Sequence, residues 1–116
     1  MAAIEQHRDG DVTVFVAKGT LTSGGEEGEM RRAIRTAVDQ GARHIVVNLQ
    51  EVGDIDSSGV AELASAHIAT TNRGGTLLLC CLSKKLKHIF GITRLEDVFA
   101  IYATEAEAVN ASMEKR

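Results

Sequence analysis

The period of hydrophobic and polar positions changes several times along the chain, and each change marks an element. Ala3 to Arg8 and Asp11 to Lys18 are strand-like runs flanking Asp9-Gly10. Asp-Gly between two such runs predicts an antiparallel hairpin, because the favoured tight turn needs positive φ at both central positions. In the second run Val12, Val14 and Val16 alternate with Thr13, Phe15 and Ala17, so each set is assigned to one face of the sheet.

The period then lengthens. Ser23-Gly24-Gly25-Glu26 is a capping-box pattern, and Met30, Ala33, Ile34, Ala37 and Val38 recur at helical spacing until Gly41 stops the helix. His44 to Leu49 is apolar at its centre, as expected of a strand covered on both faces, and Gln50 to Asp56 reads as a polar loop. A second helix is predicted from about Ser58 to Asn72, with Val60, Leu63, Ala64, His67 and Ile68 on its inner stripe and Arg73-Gly74-Gly75 ending it. Thr76 to Leu82 is another buried strand. Ser83 opens a short helix through Phe90, closed by Gly91. Thr93-Arg94-Leu95-Glu96 is a capping box for one more turn, Val98 to Tyr102 a short strand, and Thr104-Glu105-Ala106-Glu107 the cap of a last helix facing inward with Ala106, Val109 and Met113.

The order is ββαβαβαβα. Strands joined through helices run parallel with right-handed crossovers, so the expected class is α/β, a mixed sheet packed with about four helices. A length of 116 residues suits one domain covering 1–116.

Composition narrows the partners. The formal net charge is −3, which argues against a nucleic-acid surface and against docking on anionic lipid, both of which call for basic patches. No apolar run reaches the ~18 residues that span a bilayer. The N-terminal residues lack the basic and apolar regions of a signal peptide, so a cytoplasmic location is expected. Cys80 and Cys81 are adjacent and are read as two reduced thiols pointing to opposite faces of a strand; with His88 they have no metal-ligand spacing. No cofactor is expected.

Gly53-Asp54-Ile55-Asp56-Ser57-Ser58-Gly59 carries the densest chemistry. It leads from a buried strand into a helix, at the sheet edge where open α/β folds meet ligands and partners. Helix starts present free N–H groups and the positive end of the dipole, so they suit an anion. Asp56, Ser57 or Ser58 can cap the helix. Capping needs only one of them, which leaves a hydroxyl spare as a phosphate acceptor.

Asp56-Ser57-Ser58-Gly59, following His44 to Leu49 and a polar stretch, resembles the phosphorylation motif of anti-sigma factor antagonists, the STAS-domain family. The hairpin, Gly19-Thr20-Leu21, the helix ending near Gly41, Gly74-Gly75, Lys87-His88-Ile89-Phe90 and Gly91-Ile92 extend the likeness over nearly the whole chain. The resemblance implies a STAS-like fold and a binding protein, not an enzyme. It implies as partner an anti-sigma factor that is also an ATP-dependent serine kinase. The unphosphorylated form would bind this partner and release the sigma factor, phosphorylation would end binding, and a serine phosphatase would reset the protein. The family's acceptor maps onto Ser57, with Asp54, Asp56, Ser58 and Gly59 in the contact surface. A monomer is expected in the free state. One departure stands out: Gly19-Thr20-Leu21-Thr22 lacks the two acids the family usually carries after its second strand, which bears on kinase recognition.

The remaining signals are weaker. Gly19 to Glu26 resembles a phosphate-binding loop but lacks the Lys-Ser/Thr ending, and Glu26 and Glu27 would repel phosphates. Lys84, Lys85, Lys87, His88 and Arg94 concentrate positive charge. Lys84 or Lys85 is expected on the same sheet edge as Ser57, where a cation would favour a phosphate or an acidic partner. His44 and His67 read as packing residues, and no Gly-x-Ser-x-Gly elbow supports a hydrolase triad. Two other readings are a scaffold or sensor module of a stress-signalling assembly and a nucleotide-binding domain.

Overall fold

The computed structural model describes residues 2–21 and 29–114. Its elements run β1 (Ala2–Asp9), β2 (Val12–Leu21), α1 (Glu29–Asp39), β3 (His44–Ile55), α2 (Ser57–Asn72), β4 (Thr76–Cys80), α3 (Lys84–Ile92), a 3₁₀ turn (Leu95–Asp97), β5 (Ala100–Tyr102) and α4 (Glu105–Glu114). This is the predicted α/β order. The capping box at Ser23–Glu26 lies outside the described residues.

The five strands lie side by side in chain order. β1 is antiparallel to β2, and β2, β3, β4 and β5 are parallel. Strand order that never reverses has a consequence: right-handed crossovers stepping in one direction put their helices on one face. Phe15, Ala17, Ile45, Val47, Leu49, Leu77 and Leu79 accordingly form one core with Met30 and Ile34 of α1, Leu63 and Ala66 of α2, and Leu86 and Phe90 of α3. The other face, Val12, Val14, Val46, Leu78 and Cys80, is covered by Ala108 and Val109 of α4. The valine alternation read in β2 is therefore the division between the two cores.

Several boundaries differ from the sequence reading. The hairpin turn is Gly10-Asp11, because Asp9 pairs with Val12; only Gly10 has positive φ (63°), the pattern of a two-residue turn with glycine first. The polar stretch Gln50–Ile55 is not a loop. It continues β3, because the long β2 supplies ladder partners as far as Thr20↔Asp54 and Leu21↔Ile55, across two register shifts. Val52 and Ile55 are buried there. The inner stripe of α2 is Gly59, Leu63, Ala66 and Thr70, and Ile68 is 56% exposed. β4 stops at Cys80 since Cys81 takes a left-handed φ of 63°. α3 runs through Gly91 to Ile92. Thr93 does not cap the next turn: its hydroxyl donates to Ile89 O at 2.7 Å, and a left-handed Arg94 leads into the 3₁₀ turn. β5 begins at Ala100, leaving Val98 56% exposed. On α4, Ala106 faces solvent and the buried residues are Ala108, Val109 and Ser112.

No helix among the described residues is long and apolar enough to cross a membrane.

Candidate functional site

The carboxyl ends of β2, β3 and β4 form one edge, and from it the chain enters α2 and α3. Both helix starts are capped by side chains. Asp56 caps α2: its backbone is extended (φ −117°, ψ −173°), and its Oδ1 accepts from Ser58 N at 2.9 Å and Gly59 N at 3.2 Å. A carboxylate there satisfies two of the four free N–H groups and lies at the positive end of the helix dipole. Asp56→Ala is expected to cost about 1 kcal/mol, read as a lower urea midpoint at unchanged slope. Ser83 caps α3 in the same manner, accepting from Leu86 N at 3.2 Å.

Of the three residues able to cap α2, the structure uses Asp56. Ser57 is exposed, Ser58 half-buried, and neither hydroxyl hydrogen-bonds a described residue. Ser57 therefore presents its Oγ to solvent from the first turn of α2. Gly59 is buried one turn position further on, where the helix approaches the sheet.

Asp54, two residues before the cap, accepts from Ile55 N at 2.9 Å and pairs with Lys85 Nζ at 3.3 Å. This ion pair joins the start of α3 to the end of β3, the strand that leads through Asp56 into Ser57. Both side chains are about half exposed, which limits the pair to about 0.2–1 kcal/mol; its role is placement more than stability. Lys84 is exposed and makes no ion pair with a described residue. Arg94 pairs with Asp97 at 3.0 Å and takes no part in the edge. Thr20 lies in register with Asp54, so the acid-poor Gly19-Thr20-Leu21 run borders the same edge; Thr22 lies outside the described residues.

A second polar group at this end of the sheet escaped the sequence reading. Asn48, inside the apolar run of β3, is buried; its Nδ2 donates to Glu105 Oε1 at 3.0 Å and its Oδ1 accepts from Gln50 N at 2.9 Å. Glu105 also meets His7 Nε2 at 3.2 Å, which ties the start of α4 to β1 and β3. A lone Asn within a run of Ile, Val and Leu was the available signal, since a buried amide needs partners.

His44 and His67 sit in packing positions. His44 Nδ1 lies 3.3 Å from Thr76 Oγ1 at the paired start of β3 and β4, and the His67 ring stands edge-on to Phe99 at 5.4 Å. No group of three metal-ligating side chains occurs among the described residues.

Compared with known families, the chain matches the STAS domain over residues 3–108. It is similar in structure to an anti-sigma factor antagonist from Mycobacterium paratuberculosis (TM-score 0.86, 18% identity, 97% of this chain and 95% of that one). It is also similar to the Bacillus cell fate determinant SpoIIAA in its phosphorylated form (TM-score 0.71, 25% identity, 94% and 98%). A sulfate transporter family protein from Wolinella succinogenes shares the fold as well (TM-score 0.75, 15% identity, 89% and 85%).

Proposed function

Because the chain belongs to the STAS-domain family, we propose that it is an anti-sigma factor antagonist whose binding is switched off by phosphorylation of Ser57. It works as a binding protein, and the chemistry is done on it. The partner is an anti-sigma factor that is also a serine kinase. The Ser57 Oγ attacks the γ-phosphoryl group of ATP held by that kinase, the bond to the β-phosphate oxygen breaks, ADP leaves, and the hydroxyl proton passes to the kinase or to solvent. A serine phosphatase restores the hydroxyl. Phosphorylation by an ATP-using kinase calls for a cytoplasmic location; the free form is proposed to be a monomer.

The observation that carries this reading is the division of labour at the start of α2. Asp56 takes the capping role, so the exposed Ser57 hydroxyl is left for a partner. Asp54, Asp56, Ser58, Lys84 and Lys85 surround it in the fold or sequence and make up the rest of the contact surface, with the buried Gly59 beneath it.

The switch is electrostatic. Phosphate adds about −1.5 to −2 charges next to Asp56 and near Asp54. The helix dipole offsets about 0.3–1 kcal/mol of the repulsion, so the fold persists. A partner surface shaped around a neutral serine must instead desolvate the new charge.

Incubation with the cognate kinase and ATP, followed by fragment-ion mass spectrometry, is expected to place a single phosphate on Ser57. Phosphate found on Ser58 instead, or outside residues 54–59, would refute the assignment.

A further inference from the structure

The two cysteines do not behave as strand residues. Alternation along a strand would send Cys80 and Cys81 to opposite faces. Here β4 ends at Cys80, and the left-handed φ of 63° at Cys81 breaks the alternation. Cys80 is fully buried in the core beneath α4, and Cys81 packs against that same core. Both cysteines thus pack on one side of the sheet. A non-glycine residue in this conformation is strained, and it is held there by Cys81 N donating to Tyr102 O at 3.1 Å.

The pair is unequal. Cys81 is half-buried and lines an open cleft of about 590 Å³ with Asn48, Gln50, Ser83, Thr104 and Glu105. Cys80 has no opening to solvent. Burial above all, then the hydrogen bond and charge interaction with Cys81 and the charge of Glu105, push the Cys80 thiol well above the usual range, so Cys80 is not the sulfur that an oxidant from solvent meets first.

We propose that Cys80 and Cys81 form a vicinal dithiol that small peroxides oxidise reversibly to a disulfide, with Cys81 as the attacked sulfur and Cys80 as the resolving one. In the first step the Cys81 sulfur attacks one peroxide oxygen, the O–O bond breaks, Cys81 becomes a sulfenic acid, and water (or an alcohol) leaves with the thiol proton. In the second step the Cys80 sulfur attacks the sulfenic sulfur, the S–O bond breaks, and the hydroxyl departs as water with the Cys80 proton. The peroxide gains the two electrons that the thiols lose. Neighbouring Cα atoms stand about 3.8 Å apart, closer than the ~4.4–6.8 Å of an ordinary disulfide, so the product is strained and easily reduced. That suits a reversible modification and not a staple. The pair lies one residue, Leu82, before Ser83, the cap of α3, the helix that carries Lys85.

The test uses the purified full chain. Hydrogen peroxide in small excess is added, remaining thiols are alkylated with iodoacetamide in denaturant, and intact mass is measured with and without prior dithiothreitol. The expected product has lost two hydrogen atoms, takes up no alkylating reagent, remains a monomer on a non-reducing gel, and regains two alkylatable thiols after reduction. Cys80→Ser is expected to stop at a dimedone-reactive Cys81 sulfenic acid, and Cys81→Ser to consume peroxide at least about tenfold more slowly. The wild-type measurement stands alone if either variant fails to fold. Two alkylated cysteines after peroxide, an irreversible oxygen adduct, or a disulfide between chains would each overturn the proposal.

Discussion

Gly75→Ala is expected to lower the melting temperature by about 10 °C. A Cβ at this position would lie 2.2 Å from Arg43 O and 3.0 Å from the Thr70 side chain. The first of these is a backbone oxygen that cannot swing aside. It accepts from Thr76 N at 2.7 Å, the bond that brings the starts of β3 and β4 together. To admit a methyl group the two strand starts must part at the first rung of the ladder, where His44 pairs with Thr76. Overpacking of this kind costs about 1–3 kcal/mol and the weakened hydrogen bond about 1 more. A loss near 3 kcal/mol corresponds to about 10 °C in a chain of this length. Gly53→Ala is the matched control: nothing lies within 4 Å of its added Cβ and its φ is not positive, so calorimetry should find it within about 0.5 kcal/mol of wild type. A Gly75→Ala protein melting with the wild type would mean that the strand starts do not close as described.

The contrast between these two glycines shows what the sequence discloses. Gly74-Gly75 reads as punctuation before a strand, yet the reason for the second glycine is a carbonyl more than thirty residues earlier in the chain. The apolar runs His44–Leu49 and Thr76–Leu82 and the valine alternation of β2 are local patterns, and they predict the sheet, though the second run overshoots β4 by two residues. Gln50–Ile55 is polar, and its extension as a strand comes from pairing with β2, a contact no local window contains. Ile68 and Ala106 fit an inner stripe by spacing but sit on the wrong side of their helices, because α2 packs through Gly59 and Ala66 and α4 through Ala108 and Ser112. Small residues that let a helix approach closely carry little weight in a hydrophobic pattern. Cys81 fits a strand by its neighbours, since nothing in its type announces a positive φ.

At the candidate site the sequence narrowed the cap of α2 to three residues, and only coordinates could choose among them. Hydroxyl and carboxylate caps have comparable strength, so propensity alone does not separate Asp56, Ser57 and Ser58. With Asp56 assigned, Ser57 becomes a residue whose side chain has no structural duty among the described contacts. Substitution there is thus a means of separating folding from binding.

Ser57→Ala is expected to keep partner binding, and Ser57→Asp to weaken it, with the fold intact in both. Stability should move by no more than about 1 kcal/mol in either variant: Ala removes a hydroxyl that bonds no described residue, and Asp is well placed in the first turn of a helix. Any larger difference must then appear in affinity. Asp adds one negative charge at the centre of the proposed contact, beside Asp56 and near the Asp54–Lys85 pair. In the complex that charge is stripped of water, and no partner group has been placed to receive it. An uncompensated charge in a closed interface costs about 3–5 kcal/mol, which is about a hundredfold or more in Kd, and phosphoserine should cost at least as much. Asp imitates phosphate incompletely, with one charge and two oxygens, so its effect should fall at the lower end. Titration calorimetry against the cognate anti-sigma factor, with melting curves as the folding control, reads both quantities. Equal affinities for wild type, Ala and Asp forms would place Ser57 outside the interface and end the switch reading. A loss of binding in the Ala form alone would mean that the partner recognises the hydroxyl itself, and that charge is not what turns binding off.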